Sequence, residues 1–291
     1  MELKLAQASK SKAAGNRIPS GVGEAAVRTS VGNISVGTIT GGLVTARTSG
    51  GNIRAGDVIG GSLDVHTSGG NITIANVSKT ARAKTSGGNI RLGDVAGDTD
   101  IHTSGGNIHV ARIGGVLKAG TSGGNISIGE TGGDLVVKTS GGNITLGPGG
   151  GIVQAHTSGG NIHSGGSIGP IDVNTSGGNI TIKDTKGSVQ AHTSGGNIQA
   201  ELNYPKRVLD EPCEIRSAGG SITVMLPAKL GARIDATIRL RRPKKDYRIT
   251  TDFDLDVKRE SARITANKDV NGGGAKISIT TTNGDIKILK I

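Results

Sequence analysis

The sequence contains little cysteine and no long apolar stretch. Cys213 is the single cysteine, so no intramolecular disulfide can form, and no cysteine and histidine residues stand at the spacing of a zinc site. No apolar run reaches the length of a membrane span, and residues 1–28 lack the apolar segment of an export signal. We therefore expect a soluble chain with no transmembrane segment, in which any export signal has been removed or never existed, and we expect no structural metal.

Glycine, in contrast, is abundant, with 51 of 291 residues, and it follows a pattern. The hexapeptide Thr-Ser-Gly-Gly-Asn-Ile occurs nine times, and residues 29–34 form a tenth copy with Val31 in place of the first glycine. Successive copies begin 19, 19 and then seven times 18 residues apart, which is typical of a solenoid whose repeats bury a core by stacking. The nine identical copies begin at Thr48, Thr67, Thr85, Thr103, Thr121, Thr139, Thr157, Thr175 and Thr193.

Apolar residues alternate with polar ones on both sides of each hexapeptide. Leu63 and Val65 precede Thr67, for example, and Ile72 and Ile74 follow its Gly-Gly pair. A period of two residues indicates a strand with one buried face, and strands one repeat apart would pair in parallel at about 4.8 Å. The sequence therefore predicts an all-β fold, a single-stranded parallel β-solenoid (β-helix) of about 18 residues per coil, with two short strands per coil and terminal caps.

The repeat divides the chain into three parts. Residues 1–28 lack the hexapeptide and are predicted to be an N-terminal tail or cap. Residues 29–200 hold the ten repeats and form the regular solenoid. Residues 201–291 keep only echoes of the hexapeptide, at 217–222 and 281–286, between longer alternating stretches. We interpret this last part as irregular solenoid coils and a cap that covers the exposed strand edge.

Two features of the hexapeptide predict the geometry of its corner. Adjacent glycines allow a tight turn with positive φ, and without side chains successive corners can stack closely. Asparagine at one position of every repeat predicts a ladder in which side-chain amides hydrogen-bond from coil to coil. The ladder would consist of Asn33, Asn52, Asn71, Asn89, Asn107, Asn125, Asn143, Asn161, Asn179 and Asn197.

Three motifs occur in order along the chain: the hexapeptide repeat, the segment Ile-Thr-Val-Met-Leu-Pro-Ala at 222–228, and Thr-Asn-Gly-Asp-Ile at 282–286. In this order they resemble a bacterial adhesin family of β-strand repeats, a domain of unknown function, over residues 29–291. The resemblance implies a β-solenoid with no established reaction, carried by exported or membrane-anchored proteins. It therefore implies an extracellular or cell-envelope location.

The residue pattern argues against an enzyme or a cofactor-binding protein. His-Thr-Ser recurs as a repeated column with no acid at a fixed offset, whereas a nucleophile needs one base and one orienting acid. Asp57, Asp94 and Asp184 do not lie on adjacent coils, and the repeats contain no aromatic platform for sugar rings. A calcium β-roll would need a nine-residue glycine repeat with carboxylates, and no phosphate-binding loop is present. We expect no catalytic residue, metal or cofactor.

Charge is the remaining functional signal, because 34 basic and 23 acidic residues give a net charge of +11. The residue before the hexapeptide is basic or protonatable in most repeats, and alternation turns it outward. This basic stripe and a denser C-terminal basic cluster are our candidate polyanion-binding residues, against the alternative of an ordinary solvated face. The stripe is Arg28, Arg47, His66, Lys84, His102, Lys138, His156 and His192, and the cluster is Arg239, Arg241, Arg242, Lys244 and Lys245.

The sequence thus favours a non-enzymatic structural or binding β-solenoid, an adhesin or cell-envelope scaffold whose partner is an acidic polysaccharide or another anionic cell-surface polymer. Without stacking aromatic residues, sequence-specific nucleic-acid binding is not expected. The second hypothesis is a filament that self-associates through its solenoid ends. The third is a β-helix enzyme that acts on polysaccharides.

Overall fold

The computed structural model describes residues 9–10, 16–241 and 246–291. These residues form strands and turns, with no helix among them. No helix in this part of the chain is therefore long and apolar enough to span a membrane. The chain divides into two compact units, residues 1–142 and 143–291, and each is a stack of parallel coils.

The first unit contains three sheets, each built from one side of the successive coils. The first sheet has the order β1-β4-β7-β10-β12-β14-β16-β18, the second has β2-β5-β8-β11-β13-β15-β17, and a short third sheet has β3-β6-β9. In chain order the strands are β1 (Ser9–Lys10), β2 (Asn16–Ile18), β3 (Gly21–Val22), β4 (Ala25–Arg28), β5 (Ile34–Val36), β6 (Ile39–Thr40), β7 (Leu43–Arg47), β8 (Ile53–Ala55), β9 (Val58–Ile59), β10 (Ser62–His66), β11 (Ile72–Ile74), β12 (Ala81–Lys84), β13 (Ile90–Val95), β14 (Thr99–His102), β15 (Ile108–Ile113), β16 (Leu117–Gly120), β17 (Ile126–Thr131) and β18 (Leu135–Lys138).

Parallel pairing follows the sequence period. Val65 pairs with Ala46 of the preceding coil and with Ala83 of the following one, so equivalent residues of neighbouring repeats are adjacent. The all-β parallel solenoid with coils about 18 residues apart is therefore confirmed. Stacking begins earlier than the first hexapeptide, because Asn16 pairs with Ile34 and Ala25 pairs with Val44. Residues 16–28 are thus part of the stack, whereas the rest of the expected N-terminal tail, apart from Ser9 and Lys10, lies outside the described residues.

A short third side was not expected from the sequence. After the second-sheet strand, each of the first coils turns and places one apolar residue inward, at Ile39, Val58 or Val77. These residues pair from coil to coil through β6, β9 and isolated bridges. From Ile90 onward the same side becomes the end of a longer strand, as in β13 and β15. The return turn therefore contributes to the core because it carries its own buried apolar residue.

The core of the first unit is a narrow stack of identical side chains. The isoleucine that ends each hexapeptide is at most 1% exposed at all six positions from 34 to 126. The hexapeptide threonine is buried as well, and its hydroxyl is satisfied: Thr67 Oγ1 donates to the Gly51 carbonyl at 2.8 Å and accepts the Gly70 N–H at 3.3 Å. Burying the polar threonine therefore costs little free energy, since its hydroxyl both donates and accepts a hydrogen bond within the corner.

The predicted role of the glycine pair is wrong about a positive φ and correct about the close stacking of corners. In the nine identical hexapeptides neither glycine has a positive φ, although Gly32 of the tenth copy does. The second glycine is instead required by stacking: a Cβ on Gly70 would lie 2.0 Å from the Gly51 carbonyl oxygen of the preceding coil. A Cβ on the first glycine, Gly69, would meet nothing closer than 3.7 Å. Close approach of main chains, and not turn conformation, explains the conserved spacing of the pair within this chain.

The second unit continues the same coil design up to residue 226 and then departs from it. Its sheets have the orders β20-β22-β24-β26-β32-β28-β31-β30 and β19-β21-β23-β25-β27-β33-β29. The strands are β19 (Ile144–Leu146), β20 (Val153–His156), β21 (Ile162–Ser164), β22 (Ile171–Thr175), β23 (Ile180–Thr185), β24 (Val189–Thr193), β25 (Ile198–Leu202), β26 (Cys213–Ser217), β27 (Ile222–Leu226), β28 (Ala232–Arg239), β29 (Ile249–Thr251), β30 (Asp256–Arg259), β31 (Arg263–Val270), β32 (Lys276–Thr282) and β33 (Ile286–Lys290).

The last coil in the chain is not the last coil in the stack. Strands β32 and β33 pair in parallel with β26 and β27, and β28 and β29 then pair on the far side of β32 and β33. Strand β31 adds to β28 in antiparallel orientation, and β30 forms the edge. All four residues of β30 are exposed and three are charged, an arrangement that discourages a further strand from pairing.

Candidate polyanion-binding groove

The structure places the basic stripe on the outer face of the first-sheet strands. In the first unit its residues occupy one register column, which runs Arg28, Arg47, His66, Lys84, His102, Gly120 and Lys138. In the second unit the equivalent column runs His156, Asn174, His192 and Arg216. The alternation of the sequence was therefore a sound guide to which side chains share this face.

Carboxylates in the neighbouring column neutralise part of the stripe. Arg47 pairs with Asp64 at 3.2 Å, and Asp100 pairs with both Arg82 and Lys84, at 3.1 and 3.5 Å. In the second unit His192 lies 3.5 Å from Glu214. These exposed ion pairs contribute little to stability, but each one cancels charge that a polyanion would otherwise meet. The first sheet is therefore a mixed-charge face.

The C-terminal basic cluster is only partly described. Arg239 ends β28 opposite Arg263, and the main-chain N–H of Arg241 donates to Asn283 Oδ1 at 2.9 Å. Arg242, Lys244 and Lys245 lie outside the described residues. The described members of the cluster are therefore Arg239 and Arg241.

The asparagine column lies on the outer surface, at the edge of the second sheet, and its hydrogen bonds differ from the prediction. Each Oδ1 accepts the main-chain N–H of the next asparagine, as in Asn71 to Asn52 at 2.7 Å and Asn89 to Asn71 at 2.8 Å. Because a main-chain N–H can only donate, the accepting atom must be the oxygen, and the amide nitrogen is left on the other side. Among the described residues, one side-chain amide contacts another, from Asn161 Nδ2 to Asn143 Oδ1 at 3.3 Å.

All members of the column share this exposed position. In the first unit the acceptors are Asn33, Asn52, Asn71, Asn89 and Asn107, and in the second unit they are Asn143, Asn161, Asn179 and Asn197, the last of which accepts the N–H of Ser221. Within each unit, these bonds therefore tie a coil to the next one through one side chain and one main-chain group.

Beside the asparagines runs a second column that sequence reasoning missed. It consists of residues that point outward from the second sheet of the first unit, and within the hexapeptide repeats they stand two positions after the asparagine. We call it the arginine column: Arg17, Ser35, Arg54, Thr73, Arg91, His109 and Ser127. The signal was present in the sequence, because Asn-Ile-Arg occurs at 52–54 and again at 89–91. It was overlooked because the basic residues appear only in alternate repeats.

The arginine column contains no acidic residue, and the described residues form no ion pair with its arginines. The nearest carboxylates along the coils, Asp57 and Asp94, come three residues after Arg54 and Arg91. Asp57 accepts the amide of Asn76 at 2.9 Å. Ala55 and Gly56 separate Arg54 from Asp57, and Leu92 and Gly93 separate Arg91 from Asp94. The arginine column thus carries positive charge that no carboxylate of the described residues pairs with.

The asparagine and arginine columns together line a groove of about 550 Å³. Its walls come from five consecutive coils, so it runs in the direction of stacking. The lining residues are Asn33, Ile34, Ser35, Asn52, Ile53, Arg54, Asn71, Ile72, Thr73, Asn89, Ile90, Arg91, Asn107 and His109. The isoleucines are buried, so the groove presents amides, hydroxyls and guanidinium groups to a ligand.

One known family matches most of the chain. The family described as Toastrack DUF4097 matches residues 16–129 and again residues 115–289. No curated protein and no solved structure matches. The two family matches together include nearly all the coils that the structure describes.

Proposed function

Since this chain belongs to the Toastrack DUF4097 family, a family of repeat domains of unknown function, we propose that it is a non-enzymatic scaffold that binds an anionic polymer of the cell envelope. A structural or binding role fits the β-solenoid. The finer assignment, adhesion to a polyanion outside the cell, rests on the charge pattern of the groove and on the resemblance of the repeats to adhesins.

The observation that carries this proposal is the uncompensated arginine column. The first sheet of the first unit has more basic side chains than the second, but three of them, Arg47, Arg82 and Lys84, are engaged by Asp64 and Asp100. In the second sheet the arginines face a groove with amide donors and no carboxylate in their column. A polyanion would therefore meet cationic charge there without displacing an existing ion pair.

The rigidity of the stack strengthens this arrangement. Coils repeat at about 4.8 Å, so arginines two coils apart are separated by roughly 9.6 Å. That separation is close to the screening length of about 10 Å at 0.1 M salt, so neighbouring arginines act on the same stretch of polymer. Binding should weaken steeply as salt rises, because the contacts are exposed and electrostatic.

The test compares two double variants with the same loss of charge. Arg54→Gln with Arg91→Gln removes the groove arginines, whereas Arg47→Gln with Arg82→Gln removes two ion-paired arginines of the first sheet. Binding of each protein to an immobilised acidic polysaccharide, with a neutral polysaccharide as blank, is measured at two salt concentrations. Taking about 1.4 kcal/mol for each lost charged contact, the groove variant should bind roughly a hundredfold more weakly.

The first-sheet variant should lose no more than about threefold, since its arginines are already paired. Equal losses in the two variants would show that net charge, and not the groove, attracts the polymer. Failure of the parent protein to bind any acidic polymer would refute the proposal as a whole.

Filament growth through the solenoid ends has weaker support from the described residues. The edge strand β30 carries Asp256, Lys258 and Arg259, all exposed, and such charged edges oppose strand addition. Light scattering against protein concentration would reveal growth along the axis if it occurs.

A further inference from the structure

We propose that the groove binds a linear acidic polysaccharide that carries one anionic group per disaccharide, laid along the stacking direction of the coils. This inference rests on the proposed function and specifies its ligand. It follows from the period of the groove, which repeats every two coils and not every coil.

The cationic period is two coils. Arg54 and Arg91 line the groove with Thr73 between them. Arg17 does not line the groove but continues the same column two coils before Arg54, with Ser35 between them. With a coil height of about 4.8 Å, the guanidinium groups recur roughly every 9.6 Å. All three arginines are exposed, so their side chains can reach a ligand above the sheet.

The amide period, in contrast, is one coil. Each asparagine Oδ1 is committed to the next coil, from Asn33 through Asn107. Among the described residues, no group accepts a hydrogen bond from the Nδ2 of these five asparagines, so their N–H donors are available to a ligand. The groove thus offers one amide donor group per coil and one guanidinium per two coils. The alternate positions hold a hydroxyl at Ser35 and Thr73 and an imidazole at His109.

An extended β-linked sugar chain has the matching pattern. Each sugar advances the chain by a length comparable with the height of one coil, and alternate sugars face the same way. A chain that alternates an acidic with a neutral sugar would present a carboxylate to every second coil. Hydroxyl, ring or acetamido oxygens of every sugar would accept the asparagine N–H groups, and each carboxylate would accept from one arginine.

Other polyanions fit less well. A polyphosphate carries charge at every unit, so alternate charges would face Ser35 or Thr73. A single-stranded nucleic acid gains affinity by stacking bases on aromatic rings, and the imidazole of His109 is the sole ring among the residues that line the groove.

The decisive experiment moves one charge by one coil. The double variant Arg54→Thr with Thr73→Arg shifts the middle cation by one position in the same outward column and leaves the composition unchanged. The probes are even-numbered oligosaccharides that alternate a uronic acid with an N-acetylhexosamine, oligosaccharides with a uronic acid at every position, and polyphosphate. Dissociation constants are measured by calorimetry, and thermal melts establish that the variant folds. If the double variant does not fold, Arg54→Gln serves as the second variant.

Parent affinity for the alternating oligosaccharides should rise about tenfold with each added disaccharide up to the hexasaccharide, which spans the three arginines, and then level off. The charge shift should weaken binding of the alternating hexasaccharide about tenfold and leave binding of the fully acidic one within about twofold. Arg54→Gln should likewise cost about tenfold on the alternating chain.

Three results would overturn the inference. In the first, the charge shift has no effect on the alternating chain, which would mean that the groove does not read spacing. In the second, polyphosphate binds as tightly as the alternating oligosaccharides, which would mean that the groove recognises negative charge and not its spacing. In both cases the proposed function would stand. In the third, the parent binds none of the probes, and the inference falls together with the proposed function.

Discussion

Replacing Gly106 with alanine should destabilise the stack far more than the same change at its neighbour Gly105. A Cβ on Gly106 would lie 2.0 Å from the carbonyl oxygen and 2.4 Å from the carbonyl carbon of Gly88 in the preceding coil. Both obstacles are main-chain atoms, which cannot rotate away. A Cβ on Gly105 would approach no atom closer than 3.7 Å, which is an ordinary contact.

The magnitude follows from what must move. To accept the methyl group, the coils must separate by more than 1 Å at this corner, since a carbon and an oxygen in contact need over 3 Å. Overpacking of this kind costs about 1–3 kcal/mol. The separation also strains the bond from Thr103 Oγ1 to the Gly88 carbonyl, 2.8 Å, and that from the Asn107 N–H to Asn89 Oδ1, 2.7 Å. At about 1 kcal/mol for each bond, the total loss is about 3–5 kcal/mol.

Urea unfolding followed by far-ultraviolet circular dichroism would measure both variants. Gly105→Ala should be neutral or should stabilise by up to about 1 kcal/mol, because alanine restricts the unfolded chain more than glycine does. Equal unfolding free energies for Gly105→Ala and Gly106→Ala would refute the idea that main-chain contact between coils requires the second glycine.

Three further predictions concern the repeat, the asparagine column and the buried thiol. Deleting residues 103–120 removes one complete coil and should leave a folded protein. Deleting residues 103–111 instead exchanges one strand for another and should abolish the cooperative transition in a denaturant melt. Equal stabilities of the two deletion variants would argue against an 18-residue coil. Asn107→Ala should lower the free energy of unfolding by only about 0.5–1.5 kcal/mol. The Asn125 N–H that loses its acceptor lies at an exposed position, so water can replace Oδ1. A loss above about 3 kcal/mol in the same melt would indicate a buried column. Burial raises the pKa of the Cys213 thiol from 9.0 to about 11, more than the Val189 N–H lowers it, and Glu211 raises it further. At pH 8 the folded protein should therefore react with a thiol reagent at least about tenfold more slowly than the urea-unfolded chain, and equal reaction rates would show that the thiol is accessible. Because the thiol pKa is higher in the folded protein than in the unfolded chain, the free energy of unfolding should fall as pH rises from about 9 to about 11.

The fold of the regular coils can be predicted from the repeat pattern alone. A fixed spacing of 18 or 19 residues places equivalent positions such as Val65 and Ala83 next to each other, and a parallel stack is the arrangement in which every repeat can bury its own apolar residues. Alternation then decides which side chains are inside, and Ile72 and Ile74 are buried as the pattern predicts. Both inferences depend only on local periodicity, which a sequence displays directly.

The order of coils near the C-terminus could not be predicted in the same way. Once the repeat period is lost after residue 200, nothing in the local pattern shows that β32 pairs with β26 and separates it from β28. That order depends on which apolar faces fit together after long excursions, and it is a property of the packed molecule. The buried third side at Val58 and Val77 was missed for a related reason, because a single apolar residue within a turn has no periodicity to detect.

The chemistry of the surface, in contrast, depends on contacts that form between coils of the folded molecule. Whether Asp64 neutralises Arg47 depends on a distance between side chains of different coils, and so does the choice of the main-chain N–H as the partner of each asparagine oxygen. The groove depends on the same kind of fact, because Arg54 and Arg91 become one site only when the coils stack and bring positions 37 residues apart to within two strand spacings. A repeat pattern shows which residues are equivalent, but contacts across the stack determine which of them are paired and which remain available to a ligand.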